Sequence, residues 1–315
     1  MNHLDEGCSV RATARLVQVC QETVARPGAG LRPSCRALSR SARACSAAHG
    51  IGVRRTVERC EKKPKRCADH ELGAAGDWWD HTAVAAASKL VVSLMVGKRT
   101  SEQTRAVVQD AHDRLRSGYL PAMFTDAFAS DESALVEVCG RRYPAKGQGR
   151  RPVMRWRQGL AYGQGKKSSK GSRMDGVEGR AVHGKARLKH VLYLLGSKQI
   201  NTSVGERPNG TSRLRTQRKV RKTLAFSKAR RYHRWRSWLS VGLDNFCRPH
   251  SSLKINQADQ VTHRSPAMAA GVTDHLWSTR EWLLQPVLGG RDNRRTLPTL
   301  HSYRPSIRIV MEGFP

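Results

Sequence analysis

Positive charge is gathered into one part of this 315-residue chain, and that concentration limits what it can fold into and around. Between Arg141 and Arg236 there are 28 Lys or Arg against three acids, Asp175, Glu178 and Glu206, so this stretch holds +25 of the formal +32. A compact body so charged repels itself unless an anionic polymer neutralises it, and nucleic-acid phosphate is the usual partner. A merely solvated cationic face normally carries interspersed acids, which are missing here. An acidic or neutral enzyme is therefore excluded. The 38% of apolar residues suffices for a core, against wholesale disorder. The longest apolar run, Leu90 to Val96, is strand-sized and falls far short of the roughly 18 to 20 residues of a membrane span. Asp5 and Glu6 stand where a signal peptide needs cations. The expected setting is cytoplasmic, with nucleic acid as partner, no membrane and no small-molecule substrate. The eight cysteines include no Cys-x-x-Cys pair, so thiols are expected rather than a zinc site.

The pattern along the chain predicts an α/β fold. Residues 8–25 read as two short helices joined by a turn, a helix-turn-helix pattern with Ala12, Leu16 and Val19 inward. Gln21 and Thr23 would face a DNA groove, and Arg11 and Arg15 would reach phosphates; Gln18 stands in the turn where a small residue would ease the connection. An ordinary helical hairpin is the alternative. Residues 26–57, rich in Arg, Ala, Ser, Gly and Pro, read as an irregular basic linker. Then come a hairpin (about 78–86 and 89–96) around Ser88-Lys89, a helix over 100–117 with a Thr100/Gln103 capping box, a short strand over 122–125, and a helix over 130–138. The Gly-, Lys- and Ser-rich stretch 141–187 lacks a Walker-type loop and reads as a flexible, phosphate-contacting basic insertion. Leu192 to Leu195 suggests another short strand. A long helix over 224–247 would bury Trp235, Trp238, Leu239, Leu243 and Phe246 and stop at Pro249. A short helix at 278–284 precedes an unstructured tail, 287–315.

Two carboxylates stand out by position. Asp126 ends the strand MFTD, where a sheet edge points side chains into a cleft, and Glu206 stands alone amid Arg and Lys. Converging carboxylates bind Mg²⁺ or Mn²⁺ for phosphoryl transfer. Alternatively, Asp126 caps the next helix, and Glu206 completes a capping box with Ser203 or pairs with Arg207 or Arg213.

Five blocks occur in the order found in one family: GDWWDHTAVAAASKLVVSLMVGKRTSEQT, MFTDAFASDESA, SVGERPNGTSRLR, AFSKARRYHRWRSWLSVGLDNFCRPHSSLK and SPAMAAGVTDHLWS. From about Glu58 to Pro286 the chain resembles the DDE transposases of bacterial insertion sequences, the insertion-sequence-one type, and residues 2–25 resemble that family's helix-turn-helix. The resemblance implies a ribonuclease-H-like mixed sheet with flanking helices over 58–286. It also implies Mg²⁺-dependent DNA cleavage and strand transfer at element ends, and a homo-oligomer when active. It gives Asp126 as the second catalytic and metal-binding acid and Glu206 as the third, with Arg207, Asn209 and Arg213 holding DNA. The family's first acid lies in an Asp-Glu-x-Trp strand that falls near Ile51 to Val57, where this chain reads IGVRRTV. The match ends near Ala25 and resumes after Thr56, the pattern that paired frameshifts leave. Pro208, beside Glu206, removes a backbone donor and costs about 3 kcal/mol inside a helix. The implied transposase is impaired by the missing first acid; the alternative is a catalytically inactive DNA-binding remnant.

Overall fold

In the computed structural model the described residues are 10–16, 18, 20, 50–60, 67–68, 75–115, 119–144, 151–170, 173–197, 199–200, 210, 212–220, 226–227, 229–257 and 260–284. The side chains of 10–12, 59, 167–170, 173–175, 177 and 257 fall outside that description. Helix α1 (Val10–Leu16) precedes β1 (Gly50–Cys60), β2 (Gly76–Ala85), β3 (Val91–Gly97), α2 (Ser101–Asp113), β4 (Ala122–Thr125) and α3 (Ala129–Cys139). The chain continues through β5 (Arg141–Tyr143), β6 (Val153–Arg155), β7 (Ala161–Lys170), β8 (Arg173–His183), α4 (Lys185–Leu194) and α5 (Arg230–Phe246). Last come β9 (Ile255–Gln257), β10 (Gln260–Thr262), α6 (Pro266–Ala269) and α7 (Thr279–Leu284).

Six strands form a mixed sheet in the order β3-β2-β1-β4-β7-β8. β1, β2 and β3 are antiparallel neighbours, β4 lies parallel to β1 and β7 parallel to β4, and β8 returns antiparallel on the far edge. β2 is covered on both faces along most of its length, which buries Asp80, His81 and Thr82 together with its apolar residues. On one face α2 and α3 set Val107, Val108, Ala111 and Leu135 against Ile51, Val53, Met123 and Tyr162. On the other, α4 lays Leu188 and Val191 over Ala122, Phe124 and Ala161. Beside it α5 buries Trp235, Trp238, Leu239, Leu243 and Phe246 on Leu90, Val92 and Leu94, together with Ala14, Ala267 and Trp282. The result is a three-layer α/β arrangement.

Local chemistry fixes the element ends. The Thr100 hydroxyl accepts from the Gln103 amide at 3.3 Å and starts α2. Lys89 turns the β2–β3 connection with φ 61°. Ser265 caps α6, whose first residue is Pro266. The hairpin, α2, β4, α3 and α7 therefore fall where the sequence pattern puts them. The long helix begins at Arg230 rather than near 224, and its five expected core residues are all buried.

Other expectations are corrected. Residues 50–57, expected within a linker, form most of β1, a central strand whose ladder runs from Ile51 opposite Ala85 to Cys60 opposite Gly76. Composition hid it because Arg54 and Arg55 interrupt the apolar run, and the acids that pair with Arg55 come from a distant segment of the chain. The expected flexible insertion 141–187 contains β5, β6, β7 and β8, and β7 is an interior strand of the main sheet. Its glycines admit neighbours: a Cβ on Gly179 would meet the Ile200 Cβ at 2.8 Å, and one on Gly163 would meet Leu188 at 3.1 Å. The expected strand at 192–195 is instead the end of α4, where Leu188 and Val191 at helical spacing face the sheet. In α1 the inward residues are Thr13 and Ala14, whereas Leu16 is 61% exposed. Gln18 turns the chain there with φ 53°. The second expected helix of that pair, residues 26–49 and the tail lie outside the described residues.

Candidate functional site

The sheet order reverses between β1 and β4, because β1 continues outward to β2 and β3 while β4 leads the other way to β7. In open α/β sheets ligands bind at the carboxyl ends of the strands beside such a reversal. Asp126 stands there. It follows Thr125, the last residue of β4, and Ala127, with φ 59°, swings the chain away before α3 begins at Ala129.

What faces Asp126 is set by register. Gly52 of β1 lies opposite Phe124, so Arg54 lies level with Asp126 two residues further along. Arg54 Nη1 is 3.6 Å from one carboxylate oxygen, and Arg55 Nη1 donates to the other at 2.9 Å. Arg55 also forms an ion pair with Asp131 of α3 and donates to the Thr104 hydroxyl of α2 at 3.3 Å. Phe128 lies under the Arg55 guanidinium at 4.3 Å and under that of Arg99 at 4.4 Å. The Arg55 and Asp131 side chains are 2% and 1% exposed, whereas Asp126 keeps 29%. Burial raises the Asp131 carboxyl, and the Arg55 charge opposes that rise. Two guanidiniums and two carboxylates thus balance one another. Nearby, the Tyr162 and Thr125 hydroxyls are 2.9 Å apart and Gln164 donates to Tyr162 at 2.8 Å. Burial pushes the Tyr162 phenol up to about 12, so it stays protonated.

A divalent ion bound to Asp126 would sit about 2.0–2.1 Å from a carboxylate oxygen. Both oxygens already face a guanidinium, so the ion would have to displace Arg54 or Arg55 and sit beside the cation left behind. Among the described residues there is also no group of three or more His, Cys, Asp or Glu able to hold a metal. The described residues do not fit Mg²⁺ or Mn²⁺.

Of the residues singled out in the sequence, Asp126 is at this site, Arg15 is exposed at the end of α1, and Arg213 is half-buried in the helical turn 212–215. Glu206, Arg207, Asn209, Gln21 and Thr23 lie outside the described residues, as does the Arg11 side chain. Sequence reasoning missed Arg54, Arg55 and Asp131. The available signal was the alternation in IGVRRTVE: Ile51 and Val53 share one face with Arg55, while Arg54, Thr56 and Glu58 share the other.

A second charged cluster joins the sheet to α5. His233 Nδ1 is 2.5 Å from Glu58 of β1, and its Nε2 is 2.9 Å from Asp80 of β2. Lys219 Nζ and Ser237 Oγ reach the other Asp80 oxygen at 2.5 and 2.8 Å, and Ser227 donates to Glu58. Burial alone would lower His233, but Asp80 and Glu58 carry it up to about 9. Burial alone would raise Glu58 and Asp80, yet the His233 and Lys219 charges bring both below the usual carboxylate range. The His233 and Glu58 side chains are fully buried, so the cluster braces the fold rather than meeting a substrate. Asp80, in the strand after the first, is committed to this brace and not to Asp126.

Basic side chains are exposed along a connected part of the chain: Arg141 and Arg142 of β5, Arg155 of β6, Arg157, Lys166 of β7, Arg180 of β8, and Lys185 and Lys189 of α4. No helix among the described residues is long and apolar enough to cross a membrane. No family model matches the chain, and neither does any curated protein.

Proposed function

We propose that this chain is a DNA-binding protein descended from a DDE transposase, whose strand-transfer chemistry at Asp126 is silent. The observation that carries this reading is Arg54 and Arg55 closing on Asp126, where the family resemblance calls for a partner acid and a metal ion. The strand order β3-β2-β1-β4-β7, with an acid directly after β4, is compatible with the ribonuclease-H-like sheet that the resemblance implies. In such sites Mg²⁺ activates the attacking oxygen and stabilises the leaving one. Here guanidiniums neutralise the carboxylate that would hold it. Arg54 and Arg55 are themselves buried and balanced by Asp126 and Asp131, so phosphate attraction is expected from the exposed basic side chains of β5, β6, β7, β8 and α4.

Affinity comes from the basic block between Arg141 and Arg236, and the helix-turn-helix resemblance of residues 2–25 supplies any preference for an element's terminal repeat. The test pairs a gel shift with a nicking assay in Mg²⁺ or Mn²⁺. The expected result is duplex binding that weakens steeply with salt, and no cleavage above background. Robust cleavage abolished by Asp126→Asn would overturn the reading.

A further inference from the structure

Helix α4 buries one face and presents the other. Leu188 and Val191 pack on Ala122, Phe124 and Ala161, which turns Lys185, Lys189 and Tyr193 outward. These three recur every four residues and form one stripe. At 1.5 Å of rise per residue, each is about 6 Å from the next along the helix axis. Tyr193 is 80% exposed, and the ten residues KARLKHVLYL contain no acid. Among the described residues neither lysine has a carboxylate partner. Arg180 and Lys166 are exposed on the neighbouring strands β8 and β7.

An aromatic ring held in water at the end of a lysine row has a specific chemical match. Every nucleobase has a π-face that stacks on tyrosine regardless of sequence, and the phosphates on either side of that base meet the ammonium groups. Duplex DNA does not offer this face, because its bases are stacked on one another. A protein partner fits poorly: beyond Tyr193 and the adjoining Leu194 the stripe is cationic, which does not suit an apolar docking helix.

We propose that the Lys185–Lys189–Tyr193 stripe of α4 is a binding site for single-stranded DNA, with an unpaired base stacked on Tyr193 and flanking phosphates on the two lysines. The proposal rests on the chain being a DNA-binding protein and adds the strand state it prefers at this surface.

Fluorescence anisotropy of the full chain with a labelled oligo-dT and with a duplex of equal length separates the two levels. Tyr193→Ala should weaken oligo-dT binding by about 5- to 150-fold, the range of one lost base stack, and leave duplex affinity within about 2-fold. Tyr193→Phe should restore oligo-dT binding, since the ring is what stacks. The double variant Lys185→Gln with Lys189→Gln should reduce the salt slope on oligo-dT by about 1.4. Equal oligo-dT affinity for wild type and Tyr193→Ala, or duplex binding without oligo-dT binding, overturns the stacking site while DNA binding stands. Failure of wild type to bind either DNA overturns both. The side chains are on the surface, so the variants test binding rather than folding.

Discussion

His233 should make the stability of this protein fall between neutral and mildly alkaline pH. Its imidazole is fully buried between Glu58 and Asp80, and those two carboxylates carry it from the ordinary 6.5 to about 9. A group whose folded value is raised gives its full stabilisation below the unfolded value and loses it as pH climbs through the folded one. At 1.36 kcal/mol per pH unit the whole effect is about 3 kcal/mol, of which about 2 kcal/mol disappears between pH 6.5 and 8.5. The thiols of Cys139 and Cys247, raised by burial to about 11 and about 12, add a further fall, but mainly above pH 8.5. Below pH 6.5 the sign reverses for His81, which burial lowers to about 4, so its stabilisation is lost on acidification. Urea unfolding of wild type and His233→Gln at pH 6.5, 7.5 and 8.5 checks the reasoning. Wild type should lose about 2 kcal/mol across that range and the variant should start lower and change little. If the variant is too unstable to unfold cooperatively, the imidazole resonance of His233 in wild type still reports its titration directly. A midpoint near 6.5, or equal slopes in the two proteins, would refute the ion-pair account.

Three further outcomes are expected. Asp131→Ala leaves the buried Arg55 short of a counter-charge and should cost about 3–5 kcal/mol in urea unfolding, whereas Asp126→Asn, at a partly exposed site, should cost about 1 kcal/mol or less. Gly242→Ala places a Cβ 2.2 Å from the Trp282 ring and should destabilise by about 1–3 kcal/mol, with the loss recovered in part by Trp282→Leu in a double-mutant cycle. Duplex affinity should fall with a log–log salt slope of about −5 or steeper, as expected for six or more neutralised phosphates; a slope near zero would argue against phosphate binding by the basic surface.

Elements with side-chain signals were legible in the sequence. The Thr100 cap, the apolar face of α2, the Trp235–Phe246 face of α5 and the strand ending at Asp126 all follow from spacing and capping chemistry. β1, β7 and β8 were not, because Arg, Lys, Ser and Gly interrupt any apolar alternation in them and the parallel pairing of β1 with β4 and of β4 with β7 joins distant segments. Only the family resemblance pointed to a strand near Ile51 to Val57. The cluster around Asp126 was half legible. The lack of an acid in IGVRRTV is plain in the sequence, but that both arginines reach one carboxylate depends on the parallel register of β1 with β4 and on the Ala127 turn. The Glu58–His233–Asp80–Lys219 brace was invisible for a similar reason: its members lie up to 175 positions apart, from Glu58 to His233, and meet only through packing.

Whether Asp126 holds a metal ion is decided most directly by titrating Mn²⁺ into the full chain and following free ion by its paramagnetic resonance signal. With Arg54 and Arg55 on the carboxylate, the signal should track added Mn²⁺ with no stoichiometric uptake at micromolar concentration, and Asp126→Asn should leave the trace unchanged. One or two ions taken up per chain and lost in Asp126→Asn would contradict the silent-site account.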